Sequence, residues 1–547
     1  MAKFKLRKSY QVGSPDAETD EYVLNAFIKI DNLDEILDTK NQKSILLGRT
    51  GSGKSAIIKY IKNTQENVCV IEPEAMSLRF LSNSTILRYF NSIDVNLNLF
   101  YKVLWKHVFI VELLKMYFDE NLNSFKQKTF FERIKEKISK DKKNFSRKER
   151  AVKYMETWSN DFWQQTELLV KSFEENIQRK FADSVNIDIE AIKLGLSDEK
   201  FRNESFVYEA KNKAESIISN SQVIELLDII DIMKTDLFNN HQKKYYIVID
   251  DLDREWVEDS IRLDLIGAMI DVIKEFRQLL GVKIIISLRE NLNEIVFLKH
   301  EHKGLQREKL KPLYSNLSWN EKELKNLIDK RLKILSEDQF NVKEAFYEER
   351  RGHKKGFDYV LKRTFYRPRD IISFLNHIIE NSNNKAYFTN DIISKAEPSY
   401  SLDRFQALED EWNENYGKIS YLCNFLKGSH NGFNLKSVSE EKFADIYLED
   451  KYKDFFRGDL KKAVNDWKSD LINFQSFLKK VIFILYRIGI IGVKKGPSFQ
   501  TAFYYSKEIL IEKSDISNNS KFYIHPSLYS YFKVNVIDQL PDDYEQK

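Results

Sequence analysis

The sequence predicts an α/β protein, a parallel sheet carrying a phosphate-binding loop and combined with long helical segments. Three observations lead there. A short apolar run, Ser44–Gly48, leads directly into the glycine-rich stretch Gly48-Arg-Thr-Gly-Ser-Gly-Lys-Ser55 and then into a helical pattern. A second apolar run, Tyr245–Ile249, stops at two aspartates, Asp250 and Asp251. Elsewhere apolar residues recur at spacings of three and four. Gly (17) and Pro (8) are scarce in 547 residues, so most of the chain reads as helix with short connections.

The first element is the strand "SILLG", bounded by polar residues, and the helix "KSAIIKYIKN" with Ala56, Ile57 and Tyr60 on its apolar face. Between them the pattern G-x-x-x-x-G-K-[ST] is complete, from Gly48, Arg49, Thr50, Gly51, Ser52 and Gly53 to Lys54 and Ser55. Glycines let backbone N–H groups turn towards phosphate, and a helix N-terminus adds a favourable field for negative charge. Lys54 is placed for the β- and γ-phosphates and the Ser55 hydroxyl for Mg²⁺. ATP and Mg²⁺ are the expected ligands.

The second element is the buried strand Tyr245–Ile249 with Asp250 and Asp251 at its C-terminal end, the edge where open α/β sheets bind ligands. Asp250 is expected to hold Mg²⁺ and Asp251 to polarise an attacking water. Asp253 is either a second candidate for that role or the N-cap of the next helix. The third element, "VKIIISLREN" (Val282–Asn291), brings Ser287 and Arg289 to the same edge. Arg289 is read as a γ-phosphate contact, or as the ion-pair partner of Glu290 or Asp251. Farther on, "TFYRPRDIISFLN" (Thr364–Asn376) sets Arg367 and Arg369 around Pro368, with Asp370 opening an amphipathic helix. Two guanidiniums at a rigid helix start suit phosphate sensing or reaching into a neighbouring subunit. An exposed helix cap is the plainer alternative.

Expected boundaries are 1–117 for the first half of the nucleotide-binding core, 118–242 for a helical insertion and 243–335 for the second half of the core. Residues 336–400 form a helical segment with the RPRD motif, and 401–547 a C-terminal domain. The insertion carries 12 Lys/Arg against 4 Asp/Glu between Lys126 and Lys153, an excess of +8, with Phe125, Phe130, Phe131 and Phe145 interleaved. It is read as a nucleic-acid contact or a solvated helix face. The C-terminal domain ends in the helix "LINFQSFLKKVIFILYRIG", then "IIGVKK", "TAFYYS" and "KFYIHPSLYSYF". A helix followed by a two- or three-stranded sheet reads as winged-helix-like, for DNA or for protein docking, with Lys494 and Lys495 in its wing.

Composition excludes several classes. Lys and Arg total 87 against 83 Asp and Glu, so a net +4 marks no nucleic-acid binder by itself. Two distant cysteines, Cys69 and Cys423, give neither a disulfide framework nor a zinc site and fit a reducing cytoplasm. The start "MAKFKLRKSYQ" has no apolar run of the kind a signal peptide needs, and the longest apolar runs are too short and too charged to span a bilayer of about 30 Å. "HEH" at His300–His302 lacks partner ligands, and "EAK" at Glu209–Lys211 lacks the strand a nuclease site needs.

The P-loop, the strand ending in "IDDLDR", the strand ending in Ser287-Leu-Arg289 and the "RPRD" helix together resemble the KAP and STAND branches of the additional-strand P-loop ATPases, relatives of AAA+ proteins. The resemblance covers residues 20–400 best. It implies a core of the additional-strand type, a helical lid beginning in "GLQREKLKPLYSNLSWNEKELKNLIDKRL", and ATP hydrolysis with Asp251 where the family usually has Glu. It further implies a homo-oligomeric switch with an effector or partner protein, in a soluble bacterial group often associated with antiphage defence. A DNA-dependent ATPase acting through the winged helix, or an ATP-binding scaffold with negligible hydrolysis, are the alternatives.

Overall fold

The computed structural model describes residues 4–73, 97–118, 145–158, 222–240, 242–254, 256–300, 307–346, 356–449, 452, 454–506 and 511–537. The chain forms two compact units, one of Asp31–Leu47 and Ile58–Asn316, the other of Met1–Ile30, Gly48–Ile57 and Leu317–Lys547. Most of the basic stretch from Lys126, with Phe125, Phe130 and Phe131, "EAK" and most of "HEH" lie outside the described residues.

In chain order the first set of elements is β1 (Ile45–Gly48), α1 (Lys54–Thr64), β2 (Asn67–Ile71), α2 (Asn98–Tyr117), α3 (Phe145–Trp158), α4 (Gln222–Ile232), β3 (Tyr245–Ile249), α5 (Asp259–Phe276), β4 (Val282–Arg289), α6 (Glu290–His300) and β5 (Tyr314–Asn316). The sheet has the order β2-β3-β4-β1-β5, with parallel pairs in register from Asn67↔Tyr245, Tyr245↔Val282 and Ile45↔Tyr314. β3 is buried at all its positions and β4 up to Leu288, because both faces of a parallel sheet are covered. Helices α2 and α5 cover one of these faces, with Trp105, Phe109, Ile110, Ile266, Met269 and Phe276 in one core with Ile247 and Ile284. The run "VLWKHVFIVELL", too short for a membrane, belongs to α2 and is buried nearly all round. Among the described residues no helix is long and apolar enough to cross a membrane.

Two details differ from the sequence reading. The stretch read as the start of a lid contains β5, three residues paired with β1, too short to show a period of two. The buried stripe of α1 is Ile57, Ile58 and Ile61 rather than Ala56, Ile57 and Tyr60.

The other unit is mainly helical: α7 (Glu321–Ser336), α8 (Pro368–Glu380), α9 (Asn390–Tyr416), α10 (Gly458–Lys468) and α11 (Phe474–Ile488). Asn320 opens α7 with a capping box closed by Glu323. The amino-terminal segment is fastened to α7 by the buried Arg331, which pairs with Asp20 at 2.5 Å and donates to the Val12 carbonyl at 2.9 Å. Helix α8 begins at Pro368, not at Asp370, because proline fits the first helical position. After α11, Gly489 turns the chain at φ +96 into a small antiparallel sheet of order β6 (Gly432–Phe433), β8 (Lys521–Ile524), β7 (Ile491–Lys494). Its third strand comes from Gly432–Phe433. "TAFYYS" adds one bridge, Ala502 to Val493, and then a helical turn at Tyr504–Ser506.

Candidate functional site

Strands β1, β3 and β4 are parallel members of one sheet, so their C-terminal ends share one edge, and β4 stands between β1 and β3. The glycine loop follows β1 in the chain. The aspartates follow β3, and Arg289 closes β4.

At the end of β3, Asp250 is half-buried, and its N–H donates to the Ile71 carbonyl at 3.3 Å. Asp251 sits at φ +55, a left-handed conformation that aspartate tolerates better than most side chains. Its carboxylate meets Arg254 at 2.9 Å. Arg289 pairs with Asp253, neither Glu290 nor Asp251. Asp253 does not cap a helix; α5 starts six residues later with Glu258 at its N-cap. The turn that carries these aspartates is fixed from beneath by Arg262 of α5, 1% exposed. Its guanidinium donates to the carbonyls of Asp253 (3.1 Å) and Arg254 (3.2 Å) and pairs with Asp259 (2.9 Å). Arg262 escaped the sequence reading because a lone arginine in an amphipathic pattern looks like a surface residue.

The glycine loop is built differently. Gly51 and Gly53 have φ of +78 and +98, which only glycine adopts without strain. A Cβ on Gly51 would also lie 2.6 Å from the Arg369 Cβ. Lys54 donates through Nζ to the carbonyls of Gly48 (2.9 Å) and Arg49 (3.1 Å), so the ammonium lies across the loop. Three successive loop carbonyls are held by groups distant in the chain, at Trp319, Arg367 and Arg369. Arg367 Nη1 donates to Thr50 O (2.8 Å), the Arg369 N–H to Gly51 O (3.3 Å) and Trp319 Nε1 to Ser52 O (2.8 Å).

Behind the loop lies a buried charge network. Arg49, 4% exposed, directs its guanidinium to Glu411 at 3.4 Å and to the Ile488 carbonyl at 2.8 Å. Glu411 accepts the Thr50 N–H at 3.2 Å and Arg367 at 3.2 Å. Arg367 continues to Asp370 at 3.0 Å, which also takes Arg404 and the Phe365 N–H. Burial alone would raise both carboxyls. The guanidiniums beside them, Arg49 and Arg367 for Glu411 and Arg367 and Arg404 for Asp370, override it and hold each at about 2. Arg367 is delivered by a tight turn in which Tyr366 sits at φ +51, a strained setting for an aromatic residue. Phe365, in the same turn, stacks on the buried His525 ring at 4.3 Å, and burial keeps that imidazole uncharged.

The expected arginines therefore separate. Arg367 is enclosed by protein carboxylates and a loop carbonyl. Arg369, one-third exposed, lays its stem on Gly51 and donates to the Pro15 carbonyl at 3.2 Å. Arg49, expected among the ligand-binding residues, turns its side chain to Glu411. Glu411, Arg404 and Trp319 gave no sequence signal; each is an isolated residue within a helical or loop pattern. The candidate metal donors Asp250 and Ser55 are oxygen donors, the set that suits Mg²⁺ rather than zinc. Among the described residues no group of three or more His, Cys, Asp or Glu side chains forms a metal site.

Residues 322–409 match the family of the FunZ-associated C-terminal helical domain, a segment that includes Arg367, Arg369, Asp370 and Arg404. Over 98% of its length the chain is similar to an Escherichia coli (strain K12) protein named "Putative transposon gamma-delta 80.3 kDa protein". The two are 20% identical over 554 residues, which cover 69% of that relative.

Proposed function

We propose that the chain is a Mg²⁺-dependent P-loop ATPase of the additional-strand type that works as a nucleotide-driven switch. The observation that carries this reading is the glycine loop itself. Two glycines at positive φ and a lysine lying across the loop follow a strand of a parallel sheet. In that sheet one strand stands between it and the strand that ends in Asp250 and Asp251. In this reading the loop N–H groups and Lys54 bind the phosphates. Lys54 exchanges its two carbonyl bonds for phosphate oxygens. Asp250 and Ser55 hold Mg²⁺, which would neutralise phosphate charge. Asp251 orients the attacking water, and Arg369, beside Gly51, is the arginine best placed to sense the terminal phosphate. The lid role of residues 336–400 and membership of the KAP/STAND group rest on the motif resemblance. So do a homo-oligomeric state, an effector partner and a setting in bacterial defence against phage.

Calorimetric titration of the full chain with ATP tests the reading. Wild type is expected to bind, and Lys54→Ala to lose binding because the phosphates lose their main cation. Equal affinity in both sinks the assignment.

A second reading, a DNA-dependent ATPase, draws support from the relative whose name associates it with a transposon. The small C-terminal sheet after α11 supports a winged-helix-like module, but Lys495 in its wing is paired with Asp515 at 2.7 Å. A several-fold rise in ATP turnover on adding double-stranded DNA would favour this reading over the first.

A further inference from the structure

Five charged side chains meet behind the glycine loop: Arg49, Arg367 and Arg404 against Glu411 and Asp370, three cations and two anions, all under 9% exposed. Such a cluster is costly, since desolvating each ion takes several kcal/mol and apolar side chains of similar volume are often as stable or more so. Fold stability therefore explains it poorly. Its bonds are not scattered either. They converge on one residue of the loop, Thr50, whose N–H goes to Glu411 and whose carbonyl goes to Arg367. The next two carbonyls are taken by the Arg369 N–H and by Trp319 Nε1.

We propose that Glu411, Arg367 and Trp319 are positioning residues that preform the loop as an anion nest, and that Arg49 ties this nest to the end of α11. A peptide plane has its carbonyl and N–H on opposite sides. Holding the carbonyls of Thr50, Gly51 and Ser52 outward therefore turns the N–H groups of Gly51 and Gly53 away from those anchors, while the Ser52 N–H donates within the loop to the Arg49 carbonyl at 3.2 Å. A nest fixed before the ligand arrives spares the ordering cost on binding. Glu411 withdraws the Thr50 N–H from the nest and thereby sets where it begins. Arg367 acts at second hand, through Thr50, rather than on the ligand. Arg49 connects the loop to the carbonyl of Ile488. Three residues later the chain enters β7, so a change of loop conformation is felt at the small sheet. This inference rests on the nucleotide reading above and names what holds that site in shape.

The experiment uses the full chain and two probes, ATP and inorganic tripolyphosphate, with Glu411→Gln and Trp319→Phe. Glu411→Gln keeps the volume and removes the charge; Trp319→Phe removes one donor at a half-buried position. Each is expected to weaken ATP and tripolyphosphate by the same factor, about tenfold, because the nest reads phosphate and not the base. The melting temperature of Trp319→Phe is expected to stay near that of wild type, so its loss of affinity reports loop order and not unfolding. Should Glu411→Gln fail to fold, Trp319→Phe decides alone. Folded variants that bind both probes as wild type does overturn the positioning roles while leaving the nucleotide reading intact. Wild type that binds neither probe overturns the nucleotide reading and this inference with it. Weakening of ATP without weakening of tripolyphosphate also contradicts the proposal.

Discussion

Replacing Gly51 by alanine, alongside the same change at Gly53, separates two costs that a glycine of this loop can carry. Both residues have left-handed φ, +78 and +98, so an alanine at either pays backbone strain of about 1–3 kcal/mol. The space around them differs. A Cβ at Gly53 meets the Trp319 ring at 3.5 Å, an ordinary contact. A Cβ at Gly51 meets Arg369 Cβ at 2.6 Å and Cδ at 2.9 Å, roughly 1 Å inside normal carbon–carbon separation. Arg369 cannot swing its Cβ away, because its own N–H is bonded to Gly51 O and it lies in the first turn of α8. Overpacking of this kind costs about 1–3 kcal/mol more. Urea unfolding followed by tryptophan fluorescence is the assay, with ATP titration beside it. Gly51→Ala is expected to be the less stable variant by about 1–3 kcal/mol and the weaker binder. Equal unfolding midpoints would refute the argument that Arg369 walls the loop.

Other outcomes follow from the same contacts. Glu411 and Asp370 titrate at about 2 when folded, below their unfolded values near 4. Their contribution is therefore complete above about pH 5 and lost as pH falls towards 2, worth about 3 kcal/mol for Glu411. Unfolding free energy measured from pH 6 to pH 2 should fall steeply in wild type and less steeply in Glu411→Gln; parallel curves contradict the network. Arg262→Met should loosen the turn at Asp253 and Arg254, lowering ATP turnover about tenfold while leaving ATP affinity within a factor of two or so. Unchanged turnover removes Arg262 from the support of the site. Asp251→Asn, an exchange of two residues that both tolerate φ > 0, should retain ATP binding and lose most hydrolysis; wild-type turnover would assign the water to another group.

What the sequence disclosed and what it withheld divide along one line. The glycine loop and the strands Tyr245–Ile249 and Val282–Arg289 are local patterns: a backbone that needs positive φ demands Gly51 and Gly53, and a strand buried on both faces demands an unbroken apolar run. Those were legible residue by residue. The edge strand Tyr314–Asn316 was not, because three residues carry no period. Nor was the clamp on the loop, since Arg49 and Glu411 meet across 362 residues, and a lone glutamate in α9 looks like any solvated one. Arg367 was found for its place beside Pro368, yet its neighbours Glu411 and Asp370 determine what it touches. Arg289 was found at its strand end, while its partner Asp253 depended on how the turn after Asp251 folds back.

The account's central claim is that Lys54 and the aspartates after β3 serve one ATP-hydrolysing centre. Steady-state phosphate release by the full chain, with Mg²⁺ and with the metal chelated, measures it most directly. The account predicts turnover that requires Mg²⁺ and is abolished in both Lys54→Ala and Asp250→Asn. Turnover that survives either substitution, or no turnover and no ATP binding by wild type, would contradict it.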